Sequence, residues 1–179
     1  LATLPYILRN PWYGVLAWSW LSYMNPHRLA WGFAYDMPFA QIVAIVLLIS
    51  MLISSEKKTL PSNPLVKVWA LLLVWLSYCT FESLYPDLAF LQLEKVLKIQ
   101  LVTLVTILLM NSFLRINQLI WVIIFSIGFY SVKGGIFTFM TGGGYHVFGP
   151  DGSDIQENNA LAVAILMILP LMVYVQKFP

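Results

Sequence analysis

Five apolar stretches dominate this chain, and each meets or approaches the length needed to cross a lipid bilayer. They cover residues 38–54, Pro64–Phe81, 96–114, 117–139 and 159–175. A helix rises about 1.5 Å per residue, so about 20 apolar residues are needed to cover roughly 30 Å of hydrocarbon. No strand-like alternation rises above this signal, and an open sheet would leave backbone N–H and C=O groups without partners in lipid. Two shorter apolar pieces come first. Residues 1–8 read as the tail of a helix, and Pro11–Met24 as a Trp-rich tilted span or half-span. The expected fold is therefore all-α: a polytopic transmembrane helix bundle with about five full spans plus one or two short N-terminal helices.

Composition narrows the function classes. Of the 179 residues, 60% are hydrophobic and only 10% are charged, against about 25% charged in a soluble domain. A globule of this size could not cover its surface with so few polar groups. The net charge of +2 is too small for a phosphate-backbone binder, so the expected partner is a lipid bilayer and no nucleic acid. The single cysteine, Cys79, excludes an intramolecular disulfide and a Cys-based metal cluster. No cofactor or metal is expected. The chain begins at Leu1 and stops at Lys177-Phe178-Pro179, directly after an apolar run, and it reads as the N-terminal transmembrane domain, residues 1–179, of a longer protein. The N-terminal stretch lacks the basic run and small-residue cleavage site of a signal peptide.

Polar links separate the spans. Assigned alternately to two sides, one side takes Arg9, Lys57, Lys58, Lys67, Arg115 and Lys177 with the acid Glu56. The other takes Arg28, Lys95, Lys98 and Lys133 with Asp36, Glu82, Asp87, Glu94, Asp151, Asp154 and Glu157. Basic residues favour the cytoplasmic side, so residues 142–158 and His27-Arg28 are expected to face away from the cytoplasm. Within this division, Arg115-Ile116-Asn117 reads as a tight helix–helix turn and residues 83–95 as a loop. The crowd of Trp12, Tyr13, Trp18, Trp20, Tyr23 and Trp31 suits rings anchored at headgroup depth, or an aromatic platform for a sugar or polyprenyl chain.

The segment from Gly142 to Asn159 is the richest in chemistry. Glycines allow tight turns, and Tyr145, His146, Asp151, Asp154, Glu157 and Asn158 follow just before an apolar run. Asn158 or Asn159 is suited to cap the next helix, whose exposed amides would also attract an anion. Asp151, Asp154 and Glu157 repeat every three residues, yet Gly149, Pro150 and Gly152 work against a helix there, so a divalent-cation site is a weak reading. Lys133 lies about 24 Å into its stretch at about 1.5 Å per residue, near the outer boundary, where a lysine snorkels or meets an anion. Arg28 follows Asn25-Pro26 at the outer end of the aromatic piece and, with its planar fork, is the best phosphate clamp among the exposed cations. No Gly-x-Ser-x-Gly elbow, P-loop or His-Glu-x-x-His occurs, and no catalytic residue is assigned.

Three blocks carry a family resemblance. They are Leu4-Pro5-Tyr6-Ile7-Leu8-Arg9-Asn10-Pro11-Trp12; Trp20-Leu21-Ser22-Tyr23-Met24-Asn25-Pro26-His27-Arg28-Leu29 with Trp31-Gly32-Phe33-Ala34; and Gly149-Pro150-Asp151-Gly152-Ser153 with Glu157-Asn158-Asn159-Ala160-Leu161-Ala162. They resemble O-antigen-ligase-like proteins, in particular the N-terminal domain of O-glycosylation ligases associated with exosortase A systems. The resemblance implies a multi-pass glycosyltransferase of the bacterial inner membrane. It would take a glycan from an undecaprenyl diphosphate carrier and join it to an acceptor protein or polymer on the periplasmic face, without a metal. It also implies that the ligase domain, with its catalytic residues, follows residue 179, so that this portion alone is inactive. On this reading Arg28 and Lys133 would meet the diphosphate, and Tyr145, His146, Asp154, Glu157 and Asn158 would shape the outer mouth. Two other classes stay open: a transporter or channel fragment, and a non-catalytic membrane scaffold.

Overall fold

The computed structural model describes residues 4–56 and 58–177. Lys57, counted above among the basic loop residues, lies outside them, as do residues 1–3 and 178–179. The elements are α1 (Leu4–Arg9), α2 (Pro11–Met24), two 3-10 turns (Pro26–Leu29 and Gly32–Ala34), α3 (Phe39–Ile53), α4 (Pro64–Phe81), α5 (Pro86–Leu109), α6 (Phe113–Met140) and α7 (Asn158–Lys177). No strand occurs among the described residues, and the all-α expectation holds.

Prolines set the helix starts. Pro11, Pro64 and Pro86 each stand at the beginning of a helix, where the missing N–H costs nothing and the fixed φ suits the first turn. Asn63 adds a cap to α4, its side chain accepting from Leu65 N at 3.0 Å. Ser112 does the same for α6, accepting from Arg115 N at 3.4 Å. The α5–α6 turn therefore sits at Met110–Ser112, and Arg115, Ile116 and Asn117, expected as the turn, belong to the first turns of α6.

Three helices are long and apolar enough to cross a membrane: α4, α6 and α7. This is the mark of a membrane protein, with fewer spans than the five expected. The two that fall away do so for different reasons. Helix α3 has only 15 residues, about 22 Å at about 1.5 Å per residue, short of a full crossing. Helix α5 has 24 residues, but Glu94, Lys95 and Lys98 fall in every 18-residue window of it. Residues 86–95, expected as loop, are its first turns. The charges do not end the helix because they share a side: at about 100° per residue, Asp87, Glu94 and Lys98 fall within roughly 40° of one another. Lys98 Nζ reaches Glu94 Oε1 at 2.6 Å.

The chain divides into two compact units, residues 1–54 with 112–179, and residues 55–111. In the first, α2 packs against both α3 and α6, α1 lies against α2 and α3, and α7 covers α6. Gly14 lets these helices approach: a Cβ there would stand 2.9 Å from both Ile7 Cγ2 and Leu47 Cδ1. Ile7, Val15 and Leu47 are buried at this junction. Ser50, fully buried, donates to Ile7 O at 2.5 Å and so satisfies a carbonyl at the end of α1. On the other side, Ile127 of α6 meets Ala164 and Ile168 of α7, with Tyr23 and Ile155 against them. The second unit is the α4–α5 hairpin, tied by Trp69 Nε1 donating to Gln100 Oε1 at 2.7 Å. Leu65, Val68, Leu71, Val74, Trp75 and Tyr78 of α4 are exposed, an apolar surface suited to hydrocarbon and costly in water.

Helix α6 positions the site. Arg115 and Lys133 are its only charged residues, and about 27 Å of helix separates them, close to the thickness of a hydrocarbon core. Lys133 therefore falls where α6 would leave the apolar slab, and the last two turns of α6 lead into the polar segment of residues 141–157.

Candidate functional site

Two stretches far apart in sequence meet at this end of α6. Helix α2 ends at Asn25, which takes the left-handed conformation (φ 46°) that Asn tolerates better than most residues. The chain then turns through Pro26–Leu29. The Tyr130 hydroxyl of α6 donates to Met24 O at 2.7 Å, filling one of the carbonyls that a helix end leaves open. The same turn carries Arg28. Its guanidinium lies 4.5 Å from the centre of the Tyr35 ring, with Nη1 3.6 Å from Asp36 Oδ1. It also lies beside the loop: a Cβ added to Gly152 would stand 3.5 Å from Arg28 Nη2.

That loop is built by Gln156. Gly152 N donates to Gln156 Oε1 at 2.9 Å and Gln156 Nε2 donates to Asp151 Oδ1 at 3.3 Å. Gly149 N donates to Gln156 O at 2.9 Å, and Ser153 Oγ closes on Pro150 O at 2.7 Å. Gly149 tolerates no side chain here, since a Cβ would run into Ile155 O. Asp151 and Asp154 stand in turns and Glu157 just before α7, not on one helix face. No group of three or more His, Cys, Asp or Glu among the described residues is placed to hold a metal ion.

A second grouping lies beside α6. Tyr130, Lys133, Gly134 and Phe137 share one face of the helix and, with His146, Val147 and Phe148, line a cavity of about 220 Å³. Gly134 is buried against Val147: a Cβ there would stand 2.6 Å from Val147 Cγ1. Asn158, the first residue of α7, places Nδ2 3.1 Å from His146 Nδ1, a contact in which the amide N–H donates and Nε2 is left for another partner. The amide expected to cap α7 is thus used to orient a histidine. Lys133 is exposed and has no ion-pair or hydrogen-bond partner among the described residues.

The structure brings Lys133, His146 and Asn158 together, and sets Arg28 on the adjoining loop. Tyr145 is exposed, its ring 6.4 Å from that of Phe137. Asp154 and Glu157 are exposed, with no side-chain partner among the described residues. Sequence reasoning missed Tyr130 and Phe137, although their offsets of three and four from Lys133 placed all three on one helix face. It also missed Gln156 and Asp36. His27, in the same turn as Arg28, has a buried Nδ1 without a partner among the described residues. Burial of its ring, and then the charge of Arg28, hold it below the ordinary imidazole range.

A family model described as a family of unknown function (DUF5935) matches residues 1–179. No curated protein and no solved structure matches the chain.

Proposed function

The chain belongs to the DUF5935 family, and we propose that it is the N-terminal membrane portion of a bacterial O-glycosylation ligase of the O-antigen-ligase-like kind. The protein would sit in the inner membrane and help transfer a glycan from a polyprenyl diphosphate carrier to a protein or polymer acceptor at the periplasmic face. One observation carries the reading. Two of the blocks that carry the resemblance, residues 20–34 and 149–162, are more than a hundred residues apart, yet the Arg28 guanidinium of one lies beside Gly152 of the other. They converge at the end of α6 where Lys133 stands.

The chemistry fits an anionic, lipid-borne donor. A diphosphate leaving group gains negative charge as its glycosidic bond breaks, and a fixed cation stabilises that charge. Lys133 offers an uncommitted ammonium. Arg28, balanced by Asp36, would act through its own charge.

The test is Arg28→Ala and Lys133→Ala in the full-length protein, with glycan transfer read from the gel mobility of the acceptor. Transfer falls at least tenfold in each while the protein still inserts in the membrane. Normal transfer in both variants would rule out the assigned role.

A further inference from the structure

We propose that the cavity between α6 and residues 146–148 is an anion subsite that holds one singly charged phosphate group carried on an apolar chain, with Lys133 and His146 as its donors. The proposal rests on the carrier reading above and deepens it, by assigning the phosphate nearest the lipid chain to a defined pair of side chains.

Among the described residues, Lys133 is the only charged one lining the cavity, and it has no counter-charge there, which leaves its ammonium open to an anion. His146 supplies the second donor. With Nδ1 engaged by Asn158, Nε2 is the ring nitrogen left to donate to a phosphate oxygen. The other lining residues, Tyr130, Gly134, Phe137, Val147 and Phe148, are mainly apolar and suit methylenes rather than sugar hydroxyls.

Size and charge decide what enters. The cavity of about 220 Å³ has the room of about seven waters at roughly 30 Å³ each, below the roughly 300–1,000 Å³ of ordinary ligand pockets. A phosphate with the first carbons of its chain fits within it, and a whole saccharide diphosphate would extend out of its open side. Charge points the same way. Arg28 is already offset by Asp36, and Asp151, Asp154 and Glu157 stand in the adjoining loop. One free cation among these acids matches one negative charge. A diphosphate esterified at both ends carries one charge on each phosphate, so its lipid-side phosphate meets that condition.

The experiment titrates the purified full-length protein, in maltoside micelles, with dodecyl methyl phosphate, a diester that carries one negative charge. Binding is followed by the ³¹P signal and by the ¹⁵N signals of His146. Parallel arms use inorganic phosphate, and phosphatidylglycerol in nanodiscs. The expected result is saturable binding of dodecyl methyl phosphate with a shift at His146 Nε2. Lys133→Ala should weaken it at least tenfold, Lys133→Arg a few-fold, and Asn158→Ala about threefold with altered His146 tautomer signals. Lys67→Ala, in the α4–α5 unit, serves as the control for loss of a surface charge and should leave binding unchanged. Equal, Lys133-dependent binding of phosphatidylglycerol supports the subsite and assigns it to ordinary bilayer headgroups. Equal binding of inorganic phosphate overturns the requirement for a chain, and binding indifferent to Lys133→Ala and Lys133→Arg overturns the subsite. Lys133-dependent binding in a full-length protein that transfers no glycan would preserve the subsite and sink the ligase reading.

Discussion

Replacing Gly134 with alanine tests the packing that shapes the cavity, through a reversal of sign. A Cβ at Gly134 would stand 2.6 Å from Val147 Cγ1, well inside contact distance. Valine is stiff about χ1, so relief has to come from moving the loop or bending α6. Overpacking of this kind costs about 1–3 kcal/mol. Against it, alanine is favoured over glycine inside a helix by about 1 kcal/mol. The net expectation for Gly134→Ala is a loss of roughly 1 kcal/mol. In a Val147→Ala background the obstructing methyl is gone, and the same substitution should stabilise by up to about 1 kcal/mol. The two changes are thus coupled by about 1–3 kcal/mol, the overpacking term alone. The assay is reversible unfolding of the four proteins in mixed micelles of rising SDS fraction, followed by tryptophan fluorescence. Additive effects would refute the claim that Gly134 is small because Val147 lies against it.

Two further outcomes follow from the same end of the bundle. Tyr130→Phe leaves the Met24 carbonyl without the hydroxyl that now reaches it at 2.7 Å. It should cost about 1–3 kcal/mol and speed hydrogen exchange of the amides around Asn25, and a variant as stable as the parent would show the bond to be idle. His27 is held below its ordinary value, first by burial and then by Arg28. The folded state therefore binds fewer protons than the unfolded state once pH drops below the unfolded value near 6.5. Its stabilising contribution is complete above that pH, is lost as pH falls toward the depressed folded value, and then levels off. In His27→Gln this acid-side step should vanish from the unfolding midpoints, and an unchanged step would assign it to another group.

The helices with clear punctuation could be read from the sequence. Pro11 and Pro64 marked real starts because a proline acts on its own backbone, and α7 does begin at Asn158, although that side chain holds His146. The start of α5 could not be read in the same way. Glu94, Lys95 and Lys98 looked like a loop because charge density stood in for helix end, whereas a helix carries charges on one side without breaking. The α5–α6 turn was misplaced for a related reason: Arg115-Ile116-Asn117 drew attention, while the capping hydroxyl of Ser112 did the work. At the site, Lys133 and His146 stood out as isolated polar residues in apolar or glycine-rich surroundings. Their meeting at one cavity, the hold of Asn158 on His146 and the control of the loop by Gln156 depend on distances between side chains that residue identity leaves open.

The interval between Arg115 and Lys133 has a consequence for how α6 rides in a bilayer. A helix with a cation at either rim and nothing charged between them gauges its own depth. A thicker lipid slab would pull Lys133 away from water and penalise any lean of the helix axis. A thinner slab would invite tilt and draw the cavity toward the headgroups. Reconstituting the protein in lipids of graded acyl length should therefore change how readily Lys133 meets its anion, with an optimum where the slab matches about 27 Å of helix.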